Sequence, residues 1–379
     1  LERAEALLKE GVDSNPDTVA LQMLLANLYM STDRKGEAET VLRQLVDMEP
    51  DNVRHRLLLA DFYWKNNQQS KAIQVLDALA ALEPDRDKHI IAAAQFYQKN
   101  NEPQTAIRVL ADGTEAIPSS FALREALAQQ YLALNDTEKA LAVLQESLSL
   151  SKDSTDPGVL SAKTKMAEIH LLRRELDQSR TLIDAVLEQD PKSVAGQFVL
   201  GQLALADGNG ADAVTAFRTV VAEEPDNVKG IVLLGQAHLL NEEVGLAIDV
   251  LANGVRRHPQ SKPLHRALAR AYMVNKDFDA ASDHLATIVE NDPDDLKAKG
   301  DLGDFKLSRK QYDAAREQYE QIVDKAPNAP AGYLKLARLF EIQGNHEAAI
   351  DILDKGYAQN SDSMPILAAL VKIYIRDGE

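Results

Sequence analysis

The chain has no cysteine. That excludes disulfides, thiolate zinc sites and cysteine nucleophiles, and it leaves the cellular compartment open. Long apolar runs are missing too: no stretch approaches the ~18 residues a spanning helix needs. Signatures of catalysis are equally scarce. No Gly-x-x-x-x-Gly-Lys-Ser/Thr phosphate loop occurs, and His346-Glu347 is not followed by the second histidine of a zinc-protease helix. His258, His265 and His284 lie close in sequence but without carboxylates at metal-ligand spacing. Positive charge is outnumbered, 42 Lys and Arg against 59 Asp and Glu, for a net charge of −17. Such a field repels phosphate backbones and anionic membranes, so nucleic acid is not an expected partner. No catalytic residue, metal or cofactor is expected.

What is present is a beat of prolines. Pro16, Pro50, Pro84 and Pro118 stand 34 residues apart, and after a slip of five the interval resumes at Pro157, Pro191, Pro225, Pro259, Pro293 and Pro327. A period of 34 marks a helix–turn–helix array. An array also explains the length: 379 residues exceed the size at which one core stops growing, whereas repeats bury their apolar faces only against neighbours. With the closing proline numbered 32, ten units begin at Val19, Val53, Asp87, Phe121, Leu160, Val194, Val228, Lys262, Leu296 and Pro330.

The register holds residue by residue. Position 20 is alanine in nine units and Ser179 in the other. Position 8 is small throughout, from Ala26 to Gly201, Gly235, Gly303 and Ala337. Position 24 is large, from Leu42 to Phe217, Tyr319 and Leu353, and position 11 is often aromatic, as at Tyr29, Tyr63, Tyr97, Tyr131, Tyr272 and Phe340. Apolar positions 4, 7, 8 and 11 form one helical stripe and 20, 24 and 27 another. Polar clusters such as Asn135-Asp136-Thr137, Asp277-Phe278-Asp279 and Asn345-His346-Glu347 can cap the second helix of a unit. Gly208-Asn209-Gly210 is a turn of the same kind, and His170 and His238, at position 11, are expected to fill space between helices.

This pattern resembles the tetratricopeptide repeat (TPR) family: bulky at 4 and 24, Leu at 7, small at 8, Tyr at 11, Ala at 20, Pro at 32. Position 4 lacks the family's tryptophan. The resemblance implies an all-α fold, a right-handed superhelical solenoid of stacked antiparallel helix pairs over 1–379, with ten full repeats and a half repeat at each end. The five extra residues near 151–158 are expected to form an enlarged loop, or to divide an N-terminal sub-array, 1–150, from a C-terminal one, 159–379. Both ends fall inside a repeat, so the chain is expected to be a piece of a longer protein whose half-units fray or pack against another copy.

In the family, positions 2, 5, 9, 12 and 13 of the first helix tend to face a concave groove. Position 9 here is Asn27, Asp61, Gln95, Gln129, Glu168, Gln202, Gln236, Arg270, Asp304 and Arg338. Such a ladder of amides and charges can bind the backbone of an extended peptide, or it can simply be a solvated face. Trp64, the only tryptophan, sits beside Lys65 and one unit before Lys99. It is either an interface anchor or packing between adjacent first helices. Arg266, Arg270, Lys335 and Arg338 form a local positive patch that suits a carboxylate-rich segment or neutralises neighbouring acids. The family's carboxylate clamp, Lys at 5 with Asn at 9, is absent. Apolar residues at position 5, including Met23, Leu57, Phe198 and Val232, predict a partly greasy groove.

The expected function is a non-catalytic scaffold that binds a protein or peptide in this groove. Alternatives are the recruiting arm of an enzyme such as a glycosyltransferase, and a spacer or self-association module. The array is also similar to bacterial envelope TPR proteins of exopolysaccharide export and sorting systems, TPR lipoproteins among them, which implies an envelope or periplasmic setting.

Overall fold

The computed structural model describes residues 2–377, among which there are twenty-two α-helices and no strand. Contacts divide the chain into two compact units, Leu1–Asp190 and Pro191–Glu379. In the first, α1 (Glu2–Ser14) precedes five pairs: α2 (Val19–Ser31) with α3 (Lys35–Met48), α4 (Val53–Lys65) with α5 (Gln69–Ala80), α6 (Arg86–Lys99) with α7 (Pro103–Ala116), α8 (Phe121–Ala133) with α9 (Thr137–Ser147), and α10 (Pro157–Leu172) with α11 (Leu176–Gln189). The second holds α12 (Val194–Ala206) with α13 (Gly210–Glu223), α14 (Val228–Leu240) with α15 (Val244–Arg257), α16 (Lys262–Val274) with α17 (Phe278–Asn291), α18 (Leu296–Ser308) with α19 (Tyr312–Lys325), α20 (Pro330–Ile342) with α21 (His346–Gln359), and finally α22 (Met364–Asp377). None of the described helices is long and apolar enough to cross a membrane.

Each first helix ends the same way. The residue at position 15 takes a left-handed conformation in all ten repeats: Asp33, Asn67, Asn101, Asn135, Arg174, Gly208, Glu242, Lys276, Lys310 and Gly344. The amide at position 16 then donates back to the carbonyl of position 11, as from Gln68 to Tyr63 at 2.9 Å and from Asp277 to Tyr272 at 2.9 Å. This closure occupies a carbonyl that the helix end leaves without a partner. Position 16 often caps the next helix as well. Asp136, Asp277 and Asn345 accept from the amides of Lys139, Ala280 and Ala348, so the polar clusters do cap second helices. Gly208-Asn209-Gly210 is the same device: Gly208 is left-handed, and Asn209 accepts from Asp212 N.

The core lies between the paired helices. Every position-20 side chain, Ala38 through Ala349, has no exposed surface. Ser179, the exception in sequence, donates its hydroxyl to the Ala167 carbonyl at 2.8 Å, so its polar atom is satisfied. Where position 8 is glycine, position 24 fills the space. A Cβ on Gly201 would meet Phe217 at 2.6 Å, and one on Gly303 would collide with the Tyr319 ring. Burying each large side chain in this way contributes about 1.5–3 kcal/mol.

The insertion changes two helices. α9 stops at Ser147, and α10 starts three residues before position 1, with Pro157 in its first turn and Asp156 capping Gly158 N at 2.8 Å. Pro157 and Gly158 are therefore helical, and the connecting loop runs over 148–156. Ala128, Leu144, Ala162 and Met166 nevertheless share one buried cluster across α8, α9 and α10. The units divide one repeat further on, at Asp190 and Pro191.

Candidate functional site

First helices of successive repeats lie side by side, α4 with α6, α6 with α8, α14 with α16, α18 with α20. Their outward residues form the face on which the sequence places the candidate site. In the first unit, Asn27, Gln95 and Gln129 are exposed there. Asp61 gathers two of the candidate lysines: Lys65 Nζ lies 2.7 Å and Lys99 Nζ 4.0 Å from its carboxylate. Trp64 is half-buried and meets the rings of Phe96 and Tyr97 edge-on at 5.8 and 6.0 Å, joining α4 to α6. Its indole thus serves packing between first helices. Beside the ladder, Gln130 donates to Gln98 at 2.9 Å and links α8 to α6.

The second unit is arranged differently. Gln202 is half-buried and Gln236 exposed. Arg266 donates to Asp301 at 2.6 Å and approaches Asp295 at 3.9 Å. Lys335 donates to Asp304 at 2.6 Å, and Asp304 also accepts from the Tyr319 hydroxyl at 2.8 Å; burial and this carboxylate push the Tyr319 phenol well up. Two members of the positive patch therefore neutralise neighbouring acids. Arg270 and Arg338 are exposed and enter no ion pair among the described residues.

Four of these positions meet at a cavity of about 390 Å³. Val232, Gln236 and Leu239 of α14, Pro263, Arg266, Ala267 and Arg270 of α16, Lys297 of α18 and Leu251 of α15 line it. Positions 2, 5, 9 and 12 of adjacent first helices thus converge on one apolar-floored, cation-rimmed hollow. Chemically it can take an aliphatic side chain and a carboxylate together. Lys297 was not among the sequence candidates, although it occupies position 2 and the register alone would have found it.

Other polar groups are tied up structurally. Glu39 accepts from Tyr63, Lys71 and Arg43 at 3.0, 2.9 and 2.8 Å, and the Lys71 ammonium foremost holds its carboxyl below the usual range. His170 and His238 pair through Nδ1 with Glu175 and Glu243, each at 2.6 Å, across the turn of their repeats. Those hydrogen bonds hold both carboxyls low. His265 and His284 approach Nδ1 to Nδ1 at 3.0 Å. His265 Nε2 faces the Pro259 carbonyl at 3.0 Å, so it carries the proton there and accepts from His284 at Nδ1. Burial, and secondarily the neighbouring His265, lower the pKa of His284.

Comparison with known families agrees with this architecture. Tetratricopeptide repeat models match residues 164–228, 266–330 and 301–365, and 204–271. The model of the ChAPs, the Chs5p-Arf1p-binding proteins, matches residues 9–156. No catalytic family is among these matches, and no curated protein matches the chain. Among solved structures, yeast Tom70 is similar at 12% identity with a TM-score of 0.53, over 99% of this chain and 92% of that one. A tetratricopeptide repeat protein of Parabacteroides merdae aligns at 13% identity and a TM-score of 0.49, over 67% of this chain and 98% of that one. The Tom70 likeness concerns the fold alone. Residues 164–365 are built of tetratricopeptide repeats, recognised by their own family models.

Proposed function

We propose that the chain is a non-catalytic scaffold that binds a segment of a partner protein along its first helices, with the hollow on α14, α16 and α18 as the central contact. The observation that carries this reading is the convergence of Val232, Gln236, Arg266, Arg270 and Lys297 on one cavity. TPR proteins generally act as protein-interaction scaffolds, and the ChAPs family matched at residues 9–156 is itself named for binding proteins. The other sequence candidates, Asn27, Asp61, Gln95, Gln129 and Gln202, would extend the contact.

The lack of cysteine makes the test clean. Gln236→Cys places a single thiol on a first helix, and Thr215→Cys places one on the exposed side of a second helix. A partner recovered from source-cell extract should shield the first from maleimide and leave the second reactive. Equal labelling at both sites with partner bound would remove the reading. A setting in the cell envelope is part of this proposal and draws its support from the sequence's resemblance to export and sorting proteins; fractionation that finds the chain elsewhere would remove that setting.

One observation favours a second reading, association between copies. Met364, Leu367, Val371 and Ile375 form an exposed apolar stripe on α22. Sedimentation that stays monomeric across a wide concentration range would dismiss it.

A further inference from the structure

The partner segment can be assigned a chemistry. Resting on the groove reading above, we infer that the second unit's hollow takes an extended peptide carrying both carboxylates and aliphatic side chains. In a chain of net charge −17, the wall of this cavity contains three cations and no carboxylate. Cavities elsewhere differ: those beside Glu320 and Asp351, beside Asp47, and beside Asp77 and Asp112 each have acids in their walls.

Arg266 is committed to Asp301, but Arg270 and Lys297 are exposed and have no ion-pair partner among the described residues. Lys229, at position 2 of α14, is also exposed; its ammonium lies 4.6 Å from the centre of the Phe198 ring and meets no carboxylate. Unpaired cations over apolar floor favour an incoming carboxylate, because its charge is met in a partly desolvated setting where a charge-assisted hydrogen bond is stronger. The floor itself is Val232, Leu239, Leu251, Pro263 and Ala267. Beyond it, at positions 12 and 13 of the same helices, Leu240, Met273 and Val274 are exposed. Exposed aliphatic residues beside an apolar cavity enlarge the surface a partner can cover. A purely acidic peptide would leave these residues wet, and a purely aliphatic one would leave the cations unmatched.

The test uses the whole chain and three immobilised pools of short randomised peptides. One pool mixes Asp and Glu with Leu, Ile and Phe; the second replaces the acids by Asn and Gln; the third replaces the aliphatics by Ser and Thr. The first pool should retain the protein best, with retention falling as salt rises. Arg270→Gln with Lys297→Gln should weaken it by about tenfold, and Leu240→Ser with Val274→Ser should weaken it too; all four side chains are exposed, so folding is spared. Equal retention on the amide pool, sensitive to the Leu240 and Val274 substitutions, would overturn the acidic chemistry and keep the groove. Retention indifferent to every substitution, or none on any pool, would overturn both.

Discussion

In the first unit the groove-side lysines Lys65 and Lys99 converge on one carboxylate, Asp61, while in the second Arg270 and Lys297 reach none. At position 13 the first unit carries these lysines and one exposed aliphatic, Leu172, and the second carries three exposed aliphatics, Leu240, Val274 and Ile342. The helices, turns and buried alanines are the same in both. Folding consumes positions 7, 8, 20 and 24, and it leaves most residues at 2, 9 and 13 exposed. The two units therefore share a scaffold and differ at the positions compared: Lys65 and Lys99 meet Asp61, whereas Arg270 and Lys297 meet no carboxylate among the described residues.

The largest effects should show that the scaffolds are equivalent. Ala72→Leu in the first unit and Ala281→Leu in the second each force a bulky side chain into a position with no free surface. Each should cost about 1–3 kcal/mol in denaturant unfolding, and a much cheaper substitution in one unit would break the equivalence. The next test addresses the faces. Arg270→Glu with Lys297→Glu should weaken partner binding by about tenfold, whereas Lys65→Glu with Lys99→Glu should change it by less than about threefold. Comparable losses would mean that the first unit's cations also bind.

Acid should affect the second unit in a way traceable to one pair. His284 faces His265 and the stacked ring of Tyr272, with Asp283 nearby. Its folded pKa lies below the ordinary histidine value near ~6.5, so the unfolded chain takes up the proton first. Stability should be complete above that value and fall as pH drops through it towards the lower folded pKa. His284→Leu should flatten this fall in a pH series of thermal melts; an unchanged slope would shift its cause elsewhere. The smallest effect concerns the turns. Arg174, Lys276 and Lys310 hold left-handed conformations that suit glycine. Each change to glycine should add about 0.5–1 kcal/mol, after the entropy glycine brings to the unfolded chain, and losses instead would show that those side chains do more than close the turn.

Much of the fold was legible because repetition multiplies weak signals. A single Ala-x-x-x-Leu spacing says little, but Ala38-to-Leu42 recurring in phase through Ala349-to-Leu353 names a helix face. The left-handed turn residue was less legible. Asn67, Asn101, Gly208 and Gly344 advertise it, but Arg174, Glu242 and Lys276 hide it under residues that ordinarily sit in helices. The candidate site was legible as a set of positions and not as a site. Register placed Gln236, Arg266 and Arg270 on one face. It could not tell that Arg266 is occupied by Asp301, 35 residues on, that Lys335 is occupied by Asp304, or that Trp64 spends its ring on Phe96 and Tyr97.

The sequence by itself determined the unit: its 34-residue length, its two helices, its small and large contact positions and its acidic balance. Those follow from periodicity, which depends only on residues near one another along the chain. Tertiary structure decided which cations remain unpaired and where a hollow opens. Both depend on side chains from neighbouring repeats meeting at a few ångströms, and a shift of one rotamer converts a free charge into a paired one.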